Sequence, residues 1–449
     1  MSHTAQAIHA RWVIPVEPAG VVFEHHTVLL EDTRISALMP SAQWRSPGPQ
    51  VEEIACPEHA LIPGLINAHT HAAMSLFRGM ADDRPLMTWL EQYIWPAEAR
   101  SVNREFVRDG TRLAAAEMLL GGTTCFNDMY FFGDEAARAA IETGIRAVIG
   151  MIVIGFPSAW AGDVDDYFRK GQAVHDQFRG HPLITTAFAP HAPYTVDDAA
   201  LRRVATLAEE LDLPVHMHVH ETEDEVARAV ATMGVRPLRR LQDLGLVTPR
   251  LLAVHMTCLD QGELDALALA GTSVVHCPES NLKLASGFCP VAALIARGVN
   301  VACGTDGPAS NNDLDMLSEL RTASLLAKGV AGDPCALPAA AALRMATYNG
   351  ALALGLERVT GSLEAGKLGD MVAIDLGGAR ARPVYNPVSQ IVYSGHRDQV
   401  AHVWVGGRQV VRDGRLTTLD LAALRHRADA WAARITAPLP SRAPDDPSG

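Results

Sequence analysis

The chain has 449 residues, of which 48% are hydrophobic and 20% charged, and its 36 glycines and 27 prolines are spread along the whole length. This composition is typical of a compact globular enzyme with many short loops and excludes a disordered or fibrous protein. The formal net charge of -13, without a cluster of Lys and Arg, argues against a nucleic-acid-binding surface and favours a small-molecule substrate.

The sequence carries no sign of secretion or of membrane insertion. The N-terminal segment MSHTAQAIHARWVIPV lacks a basic stretch followed by a long apolar core, and no apolar stretch is long enough to span a membrane. The seven cysteines are scattered without a CxxC pair, which disfavours a disulfide scaffold or a structural zinc knot. We therefore expect a cytoplasmic protein that binds no membrane.

In the first part of the chain, residues 1–60, apolar and polar residues alternate between turns, as in antiparallel strands. The segments between them leave no room for crossover helices. From about residue 61 to 310 one unit repeats: a short β-branched run, a polar loop and a longer helical stretch. The candidate strands begin near positions 61, 123, 146, 183, 214, 251, 273 and 299. Eight alternating units close most economically into a (β/α)8 barrel, with parallel strands inside a ring of helices.

The last part of the chain returns to short β runs with Gly turns, namely DMVAIDLGG from residue 370 and VAHVWVGGRQVVRDGRL from residue 400. We therefore predict an α/β protein of two domains. A TIM-like barrel covers residues 61–360, and residues 1–60 and 361–449 together form a small β-sandwich. The C-terminal ITAPLPSRAPDDPSG is Pro-rich and polar, and we expect it to form a loose tail or a strap.

Ionisable residues follow one barrel strand after another. His69 and His71 end the first strand, and their spacing of two makes both side chains face the same way. His191 ends the fourth strand, His255 ends the sixth, and Asp306 follows the eighth within GTDGP. Because barrel enzymes place their active sites at the C-terminal ends of the strands, we expect these residues to meet at one face.

The fifth strand carries His216, His218 and His220 on one face, followed by Glu221. A strand rises about 3.3 Å per residue, so these three imidazoles cannot all reach one ion. The spacing alone leaves the choice of ligand open. We interpret His216 as a hydrogen-bonded core or supporting group. Imidazoles and a carboxylate at strand ends are the ligands of catalytic zinc sites, so the set predicts a metal centre.

A series of motifs spans nearly the whole chain: PGLINAHTHAAMSLFRG from residue 63, APHAPYT from 189, HMHVHET from 216, VHMTCL from 254, HCPESNLKLASG from 276, GTDGPASNN from 304 and NPVSQIVYS from 386. In these motifs the chain resembles the amidohydrolase superfamily and, within it, the 5'-methylthioadenosine and S-adenosylhomocysteine deaminases. The resemblance implies a distorted (β/α)8 barrel with a β-sandwich built from both termini, in agreement with the β runs.

The resemblance also resolves the choice of metal ligand. The family's fifth-strand ligand stands three residues before a glutamate, which selects His218 together with Glu221. The expected ligands are therefore His69, His71, His218 and Asp306. Two-metal branches of the superfamily use a carboxylated Lys on the fourth strand, and LITTAFAPHA contains no Lys. We expect one divalent ion per subunit, with Zn2+ the first choice and Fe2+ the second.

The reaction implied by the resemblance is hydrolytic deamination of an adenine nucleoside, with Glu221, His255 and Asp306 as catalytic residues. Glu221 would bind the substrate, take a proton from the attacking water and deliver it to the ring nitrogen beside the amino-bearing carbon. His255 would hold the attacking oxygen. Asp306 would pass the second proton to the departing amine, which leaves as ammonia. His191 would bond the purine from its other edge.

Two residues of the loop after the first strand match family positions that line the nucleoside site. Glu98 could accept hydrogen bonds from both ribose hydroxyls, because a carboxylate has two oxygens for a diol. Its other interpretation is a solvated Glu at a helix end. Trp89 would stack on the ligand or pack under the loop.

The loops after strands two and three, MYFFGDE and GFPSAWAGDVDDYF, contain no Arg or Lys before Arg169. An apolar wall suits a methylthio group, so we rank 5'-methylthioadenosine first, with adenosine and S-adenosylhomocysteine behind it. An inward-pointing Arg78, Arg84 or Lys283 would change that order.

Two other functions compete with this prediction. One is deamination of another aminated heterocycle, such as 8-oxoguanine, guanine or a triazine, because relatives share the metal motifs and differ in their loops. The other is a non-catalytic barrel that serves as a scaffold, which the complete set of ligands disfavours. For the predicted nucleoside deaminase we expect a homo-oligomer without a nucleic-acid partner.

Overall fold

The structure is a computed structural model, and it describes residues 5–436. The N-terminal part forms β1 (Ala5–Val13), β2 (Phe23–Glu31), β3 (Arg34–Pro40) and β4 (Val51–Pro63). β1 pairs antiparallel with β2 and parallel with β4, and β2 pairs antiparallel with β3. The chain leaves this sheet at Pro63 and enters the barrel directly.

The barrel strands match the eight predicted ones, in the predicted order and all parallel. They are β5 (Leu65–Thr70), β6 (Thr123–Asp128), β7 (Arg146–Val153), β8 (Ile184–Pro190), β9 (Val215–Val219), β10 (Leu251–His255), β11 (Ser273–His276) and β12 (Val301–Cys303). Each pairs with the next along the chain. The last and the first meet where the Asp306 amide donates to the His69 carbonyl oxygen at 3.0 Å, so the barrel is nearly closed.

Helices fill the stretches between these strands and continue after them. A π-helical turn over Leu90–Ile94 joins the first two. The helices are α1 (Leu86–Trp89), α2 (Trp95–Ser101), α3 (Arg104–Leu120), α4 (Gly133–Thr143), α5 (Val164–Phe178), α6 (Asp198–Leu211), α7 (Glu223–Met233), α8 (Pro237–Asp243), α9 (Gln261–Ala270), α10 (Pro278–Lys283), α11 (Val291–Ala296), α12 (Met316–Ala331), α13 (Ala339–Met345), α14 (Tyr348–Ala353), α15 (Pro387–Ser394) and α16 (Leu421–Thr436).

The C-terminal strands are β13 (Met371–Asp375), β14 (Val400–Val405), β15 (Arg408–Arg412) and β16 (Arg415–Leu416). They complete a mixed eight-stranded sheet whose order is β16-β15-β14-β13-β4-β1-β2-β3. This sheet from both termini confirms the predicted fold class, and the exact domain limits stay a prediction.

The terminal sheet has its own apolar core, in which Trp404 and Ile8 are fully buried. The Trp404 indole donates to Gln6 Oε1 at 2.9 Å across this core, which satisfies a polar atom that burial would otherwise leave unpaired. The sheet is attached to the barrel by a buried ion pair, in which Arg146 Nε on β7 lies 2.9 Å from Asp370 Oδ2.

The structure differs from the sequence prediction at three helices. In the sequence TVDDAALRRVATLAEELDL, Thr195 followed by two Asp predicts a helix capped at Thr195. α6 instead begins after Asp197, whose side chain accepts from the Ala200 amide, so this predicted cap is wrong. The predicted β pattern of residues 361–449 also omits α15 and α16. α16 packs on α3, where the Trp431 indole donates to Asp109 Oδ2 at 2.9 Å. Beyond its first residues in α16, the predicted tail lies outside the described part of the chain. Within residues 5–436, no helix combines the length and the apolar character needed to cross a bilayer.

Candidate active site

The four predicted metal ligands lie together at the C-terminal end of the barrel strands. One ligand atom from each of His69, His71, His218 and Asp306 lies within 4.8 Å of every other one. Asp306 Oδ1 is 3.1 Å from His69 Nε2 and 3.2 Å from His71 Nε2. The Nε2 atoms of His218 and His69 are 3.2 Å apart. β5, β9 and the loop after β12 therefore bring the four residues to one point.

Hydrogen bonds on the far side of each ring decide which nitrogen faces this cluster. His71 Nδ1 is 2.6 Å from the Met129 carbonyl oxygen, and His218 Nδ1 is 2.7 Å from the His191 carbonyl oxygen. A carbonyl oxygen can only accept, so both Nδ1 atoms carry a hydrogen and both Nε2 atoms face the cluster. This arrangement suits metal coordination through Nε2.

His69 has a different outer partner, because its Nδ1 lies 2.7 Å from His216 Nε2, and both rings are fully buried. The supporting role predicted for His216 matches this contact. With His69 Nε2 facing the cluster, His69 Nδ1 donates and His216 Nε2 accepts. A neutral imidazole thus occupies the place that a carboxylate or a carbonyl oxygen usually takes.

Asp306 is held from several directions in a turn where its own φ is +60°. Its Oδ1 accepts from the Gly307 amide at 2.7 Å, and its Oδ2 accepts from the hydroxyls of Ser280 at 2.7 Å and Ser310 at 2.8 Å. Burial by itself would raise the pKa of the Asp306 carboxyl, but hydrogen bonds and charge interactions with His69 and His71 hold that pKa well below its usual range.

The glycine that begins the GTDGP motif permits a close approach of two strand ends. A Cβ at Gly304 would lie 2.7 Å from the backbone nitrogen of His69 and 2.9 Å from its carbonyl oxygen. No side chain fits at these distances. The glycine therefore lets the loop after β12 pack against the His-containing end of β5.

The Asp306 carboxylate favours a positive charge on His71 but not on the other two histidines of the cluster. Burial by itself lowers the pKa of His71, but hydrogen bonds to the Asp306 carboxylate and to the Met129 carbonyl raise it to about 9. The neighbouring His69 has a pKa lowered to about 4, first by burial. Three inward-facing imidazole nitrogens around one carboxylate oxygen thus match the donor set of a divalent transition metal.

A carboxylate and an imidazole lie beside this cluster. Glu221 follows β9 and is buried, and burial raises the pKa of its carboxyl group. His255 Nε2 lies 3.9 Å from Glu221 Oε2, while His255 Nδ1 lies 2.8 Å from Asn281 Oδ1. An amide oxygen accepts, so Nδ1 of His255 donates and its Nε2 faces Glu221. Glu225 accepts from the Glu221 amide at 2.7 Å and fixes this turn.

Besides Glu221, the other three residues predicted to bind the substrate, Trp89, Glu98 and His191, also lie in the lining of the same cavity. The Tyr130 hydroxyl donates to Glu98 Oε1 at 2.7 Å. Burial raises the pKa of Glu98 to about 7, although the bond from Tyr130 acts in the opposite direction. Trp89 is buried.

Besides lining the cavity, His191 takes part in two hydrogen bonds of the site. Its carbonyl oxygen accepts from His218 Nδ1, and its own Nδ1 lies 2.9 Å from Thr195 Oγ1. Burial lowers the pKa of His191 to about 3, so the ring is neutral and its Nε2 is the free nitrogen. Thr195, which does not cap α6, thus orients this imidazole.

The cavity encloses about 730 Å³, part of it open to solvent, and no Arg or Lys of the described chain lines it. Arg78 pairs with Glu117, Arg84 lies over the Tyr93 ring at 5.6 Å, and Lys283 Nζ lies 2.6 Å from Asp82 Oδ1. Apart from the ligands and the polar residues above, the lining is apolar: Met74, Leu86, Leu90, Ile94, Trp95, Met129, Phe131, Ile152, Ile154, Phe156 and Leu284, with Tyr130 and Tyr194.

Sequence reasoning missed Tyr130, Asn281 and Glu225, which position Glu98, His255 and the Glu221 turn. Tyr130 follows the second barrel strand, so the rule that strand ends carry function could have found it. Asn281 and Glu225 lie in helices, where nothing in the local pattern distinguishes them from ordinary polar residues.

A nearly closed parallel barrel with a buried His/Asp cluster and an adjoining glutamate is typical of barrel hydrolases. A profile described as "Amidohydrolase family" matches residues 60–410 of the chain. The chain belongs to the amidohydrolase family, and within it this protein is an enzyme of the hydrolytic deaminase class.

Similar proteins match this chain over nearly its whole length, both in sequence and in structure. A 5-methylthioadenosine/S-adenosylhomocysteine deaminase of Saccharophagus degradans is 49% identical over 430 residues, covering 96% of each chain. A 5'-deoxyadenosine deaminase of Methanothermobacter thermautotrophicus is 44% identical and covers 91% of this chain and 95% of its own. The crystal structure of an adenosine deaminase from Xanthomonas campestris with bound zinc is 53% identical, covers 96% of this chain and 98% of that one, and superposes with a TM-score of 0.94.

Proposed function

We propose that this protein is a metal-dependent deaminase of adenine nucleosides that acts first on 5'-methylthioadenosine, then on adenosine and S-adenosylhomocysteine. The products are the corresponding inosine analogue and ammonia. The observation that carries this proposal is the Glu98–Tyr130 pair, which lies in the same cavity as Glu221 and the His/Asp cluster. The names of the similar proteins support an adenine nucleoside as substrate.

His69, His71, His218 and Asp306 would hold one divalent ion per subunit, with Zn2+ preferred and Fe2+ second. The donor set supports this assignment, as does the zinc in the similar adenosine deaminase structure. β8, with the sequence ITTAFAP, has no Lys that could bridge to a second ion. When bound, such an ion supplies a Lewis acid that activates water near neutral pH.

Glu221 acts as the proton shuttle. Its buried carboxylate has a raised pKa, so it accepts a proton from the attacking water and then donates it to the ring nitrogen beside the amino-bearing carbon. His255, held by Asn281, directs its Nε2 toward the attacking oxygen. Asp306 accepts the second proton and passes it to the departing amino group. The water oxygen remains on the ring carbon, and ammonia leaves.

Substrate binding follows from the remaining lining residues. The ionised Glu98 accepts hydrogen bonds from both ribose hydroxyls, and the neutral His191 uses Nε2 at the other edge of the purine. Trp89 forms part of the apolar wall. Because no Arg or Lys of the described chain lines this cavity, a methylthio group fits its apolar wall better than a charged substituent does.

The first test of this proposal is Glu221→Gln, compared with Glu223→Gln, an exposed glutamate on the same turn. Loss of the proton shuttle should lower kcat by about 10²- to 10⁴-fold, while metal content and melting temperature stay unchanged. The Glu223 variant should retain wild-type turnover. Wild-type turnover in Glu221→Gln would contradict the assigned role.

The second test compares ammonia release from 5'-methylthioadenosine, adenosine, S-adenosylhomocysteine, guanine and 8-oxoguanine at equal low concentrations. These rates compare kcat/KM and therefore transition-state binding. We expect the nucleosides to exceed the free bases, with 5'-methylthioadenosine first. Faster release from guanine or 8-oxoguanine would replace the nucleoside assignment. That the active enzyme is a homo-oligomer stays a prediction.

A further inference from the structure

A second cavity adjoins the active-site cavity at its mouth. It is formed by the loop before α6 and by residues of α6, α7 and α8, and Leu86 and Tyr194 line both cavities. Phe156 and Tyr194 are the most exposed aromatic residues of the active-site lining, at 37% and 41% of their surfaces. We call this second cavity, of about 1450 Å³ including its open side, the vestibule.

In the proposed binding mode, the 5' substituent of the nucleoside is directed toward the vestibule. Glu221 and the His/Asp cluster are buried at the base of the active-site cavity, so the amino-bearing edge of the purine must lie there. Glu98 binds the ribose diol from the wall that contains Tyr130. Tyr194, whose ring lies 6.0 Å from that of His191, lines both cavities. The 5' carbon lies on the face of the ribose opposite the diol, so in this binding mode its substituent is directed to the shared edge at Tyr194.

Most charged side chains that line the vestibule are already engaged within the protein. Arg240 bonds Asp198 at 2.7 Å and also the Pro193 carbonyl oxygen. Asp197 caps α6 through the Ala200 amide. Glu225 accepts from the backbone of its own turn.

Two charged residues of α7 are different. Arg228 and Asp224 are both exposed, lie one helical turn apart and line the vestibule. Neither side chain forms an ion pair or a hydrogen bond with any residue between 5 and 436, and the two do not pair with each other. One cation and one anion thus face the same open space without partners.

We propose that the vestibule binds the α-amino-acid end of an extended 5' substituent, as in S-adenosylhomocysteine. Arg228 contacts the carboxylate, which its planar guanidinium can bind through two hydrogen bonds, and Asp224 contacts the ammonium group. This inference rests on the proposed nucleoside deaminase function. No Arg or Lys of the described chain lines the active-site cavity, so the vestibule would supply the charges that bind the zwitterionic end of this substrate.

The test compares kcat/KM for S-adenosylhomocysteine and 5'-methylthioadenosine in Arg228→Gln, Asp224→Asn and Arg228→Glu. Solvent-exposed ion pairs are weak, so we expect each neutral substitution to raise KM for S-adenosylhomocysteine by about 3- to 5-fold, with a larger effect for the charge reversal. The change for 5'-methylthioadenosine, which has no amino-acid end, should be much smaller. Arg425→Gln, an exposed arginine of α16, is the matched control and should leave both substrates unchanged.

A substrate analogue separates the two contacts. The decarboxylated analogue of S-adenosylhomocysteine keeps the ammonium group, so its KM should respond to Asp224→Asn and not to Arg228→Gln. Equal effects on all substrates, or no effect of either charge on S-adenosylhomocysteine, would overturn the inference. Failure of the proposed function differs from both results, because the wild-type enzyme would then release no ammonia from any of these nucleosides.

Discussion

The Glu98→Gln substitution tests how the enzyme recognises a nucleoside. It preserves the size of the side chain and keeps an oxygen that can accept from Tyr130 at 2.7 Å. It replaces the second oxygen with an amino group, which cannot accept from a ribose hydroxyl. A hydrogen bond to a charged group contributes about 1.5–3 kcal/mol, so kcat/KM for nucleosides should fall by about 10- to 100-fold.

The same substitution should change the pH profile. The Glu98 pKa is about 7 because burial raises it, so this group becomes protonated as the pH falls through 7. Protonation removes the negative charge that binds the diol, and kcat/KM of the wild-type enzyme should therefore decline below pH 7. In Glu98→Gln this contribution to the decline should be absent.

Protein stability gives an independent measure of the same charge. The pKa of Glu98 is raised on folding from 4.5 to about 7, so its contribution to stability is present below pH 4.5 and is lost as the pH rises toward 7. The full shift corresponds to about 3 kcal/mol, and partial exposure reduces this to about 1–2 kcal/mol. Glu98→Gln should be more stable than the wild type at pH 8 by this amount, and equally stable near pH 4.

The assay is ammonia release from adenosine, 2'-deoxyadenosine and adenine between pH 6 and 9, together with urea unfolding. Glu91→Gln, an exposed glutamate close by on the same helical segment, serves as the control. The penalty should be largest for adenosine, smaller for 2'-deoxyadenosine and absent for adenine. An equal penalty for adenine would refute recognition of the ribose by Glu98.

Three further changes test the supports of the site and of the fold. His216→Leu removes the acceptor of His69 Nδ1 and should weaken Zn2+ binding by about 10- to 100-fold in a chelator competition. His216→Gln should recover most of the lost affinity. Equal Zn2+ affinities of His216→Leu and the wild type would contradict the supporting role of His216. Arg146→Met leaves Asp370 buried without its counter-ion and should lower the free energy of unfolding by about 3–5 kcal/mol in urea, with kcat of the folded enzyme retained. Gly304→Ala places a Cβ 2.7 Å from the His69 nitrogen and should lower both metal content and Tm, and normal values of both would show that the loop can move.

Local sequence patterns were sufficient for the barrel and for the identity of its ligand-bearing strands. Runs of β-branched residues predict buried parallel strands because such strands are covered on both faces. The alternation of side chains in β5 and β9 places His69 with His71, and His216 with His218, on common faces. The end of each strand then predicts the location of the site, because all eight C-terminal ends meet at one face.

Tertiary structure alone decided which of these groups touch. His69 and Asp306 are 237 residues apart, and Glu98 and Tyr130 are 32 apart, so no local pattern could report that either pair is in contact. The position of α16 on α3 depends on Asp109 and Trp431, whose 322-residue separation is equally invisible in sequence. Local propensity specifies which way a side chain leaves its own strand or helix. The partner that it meets, and hence its pKa and its chemistry, is set by how distant elements pack, which only the folded chain determines.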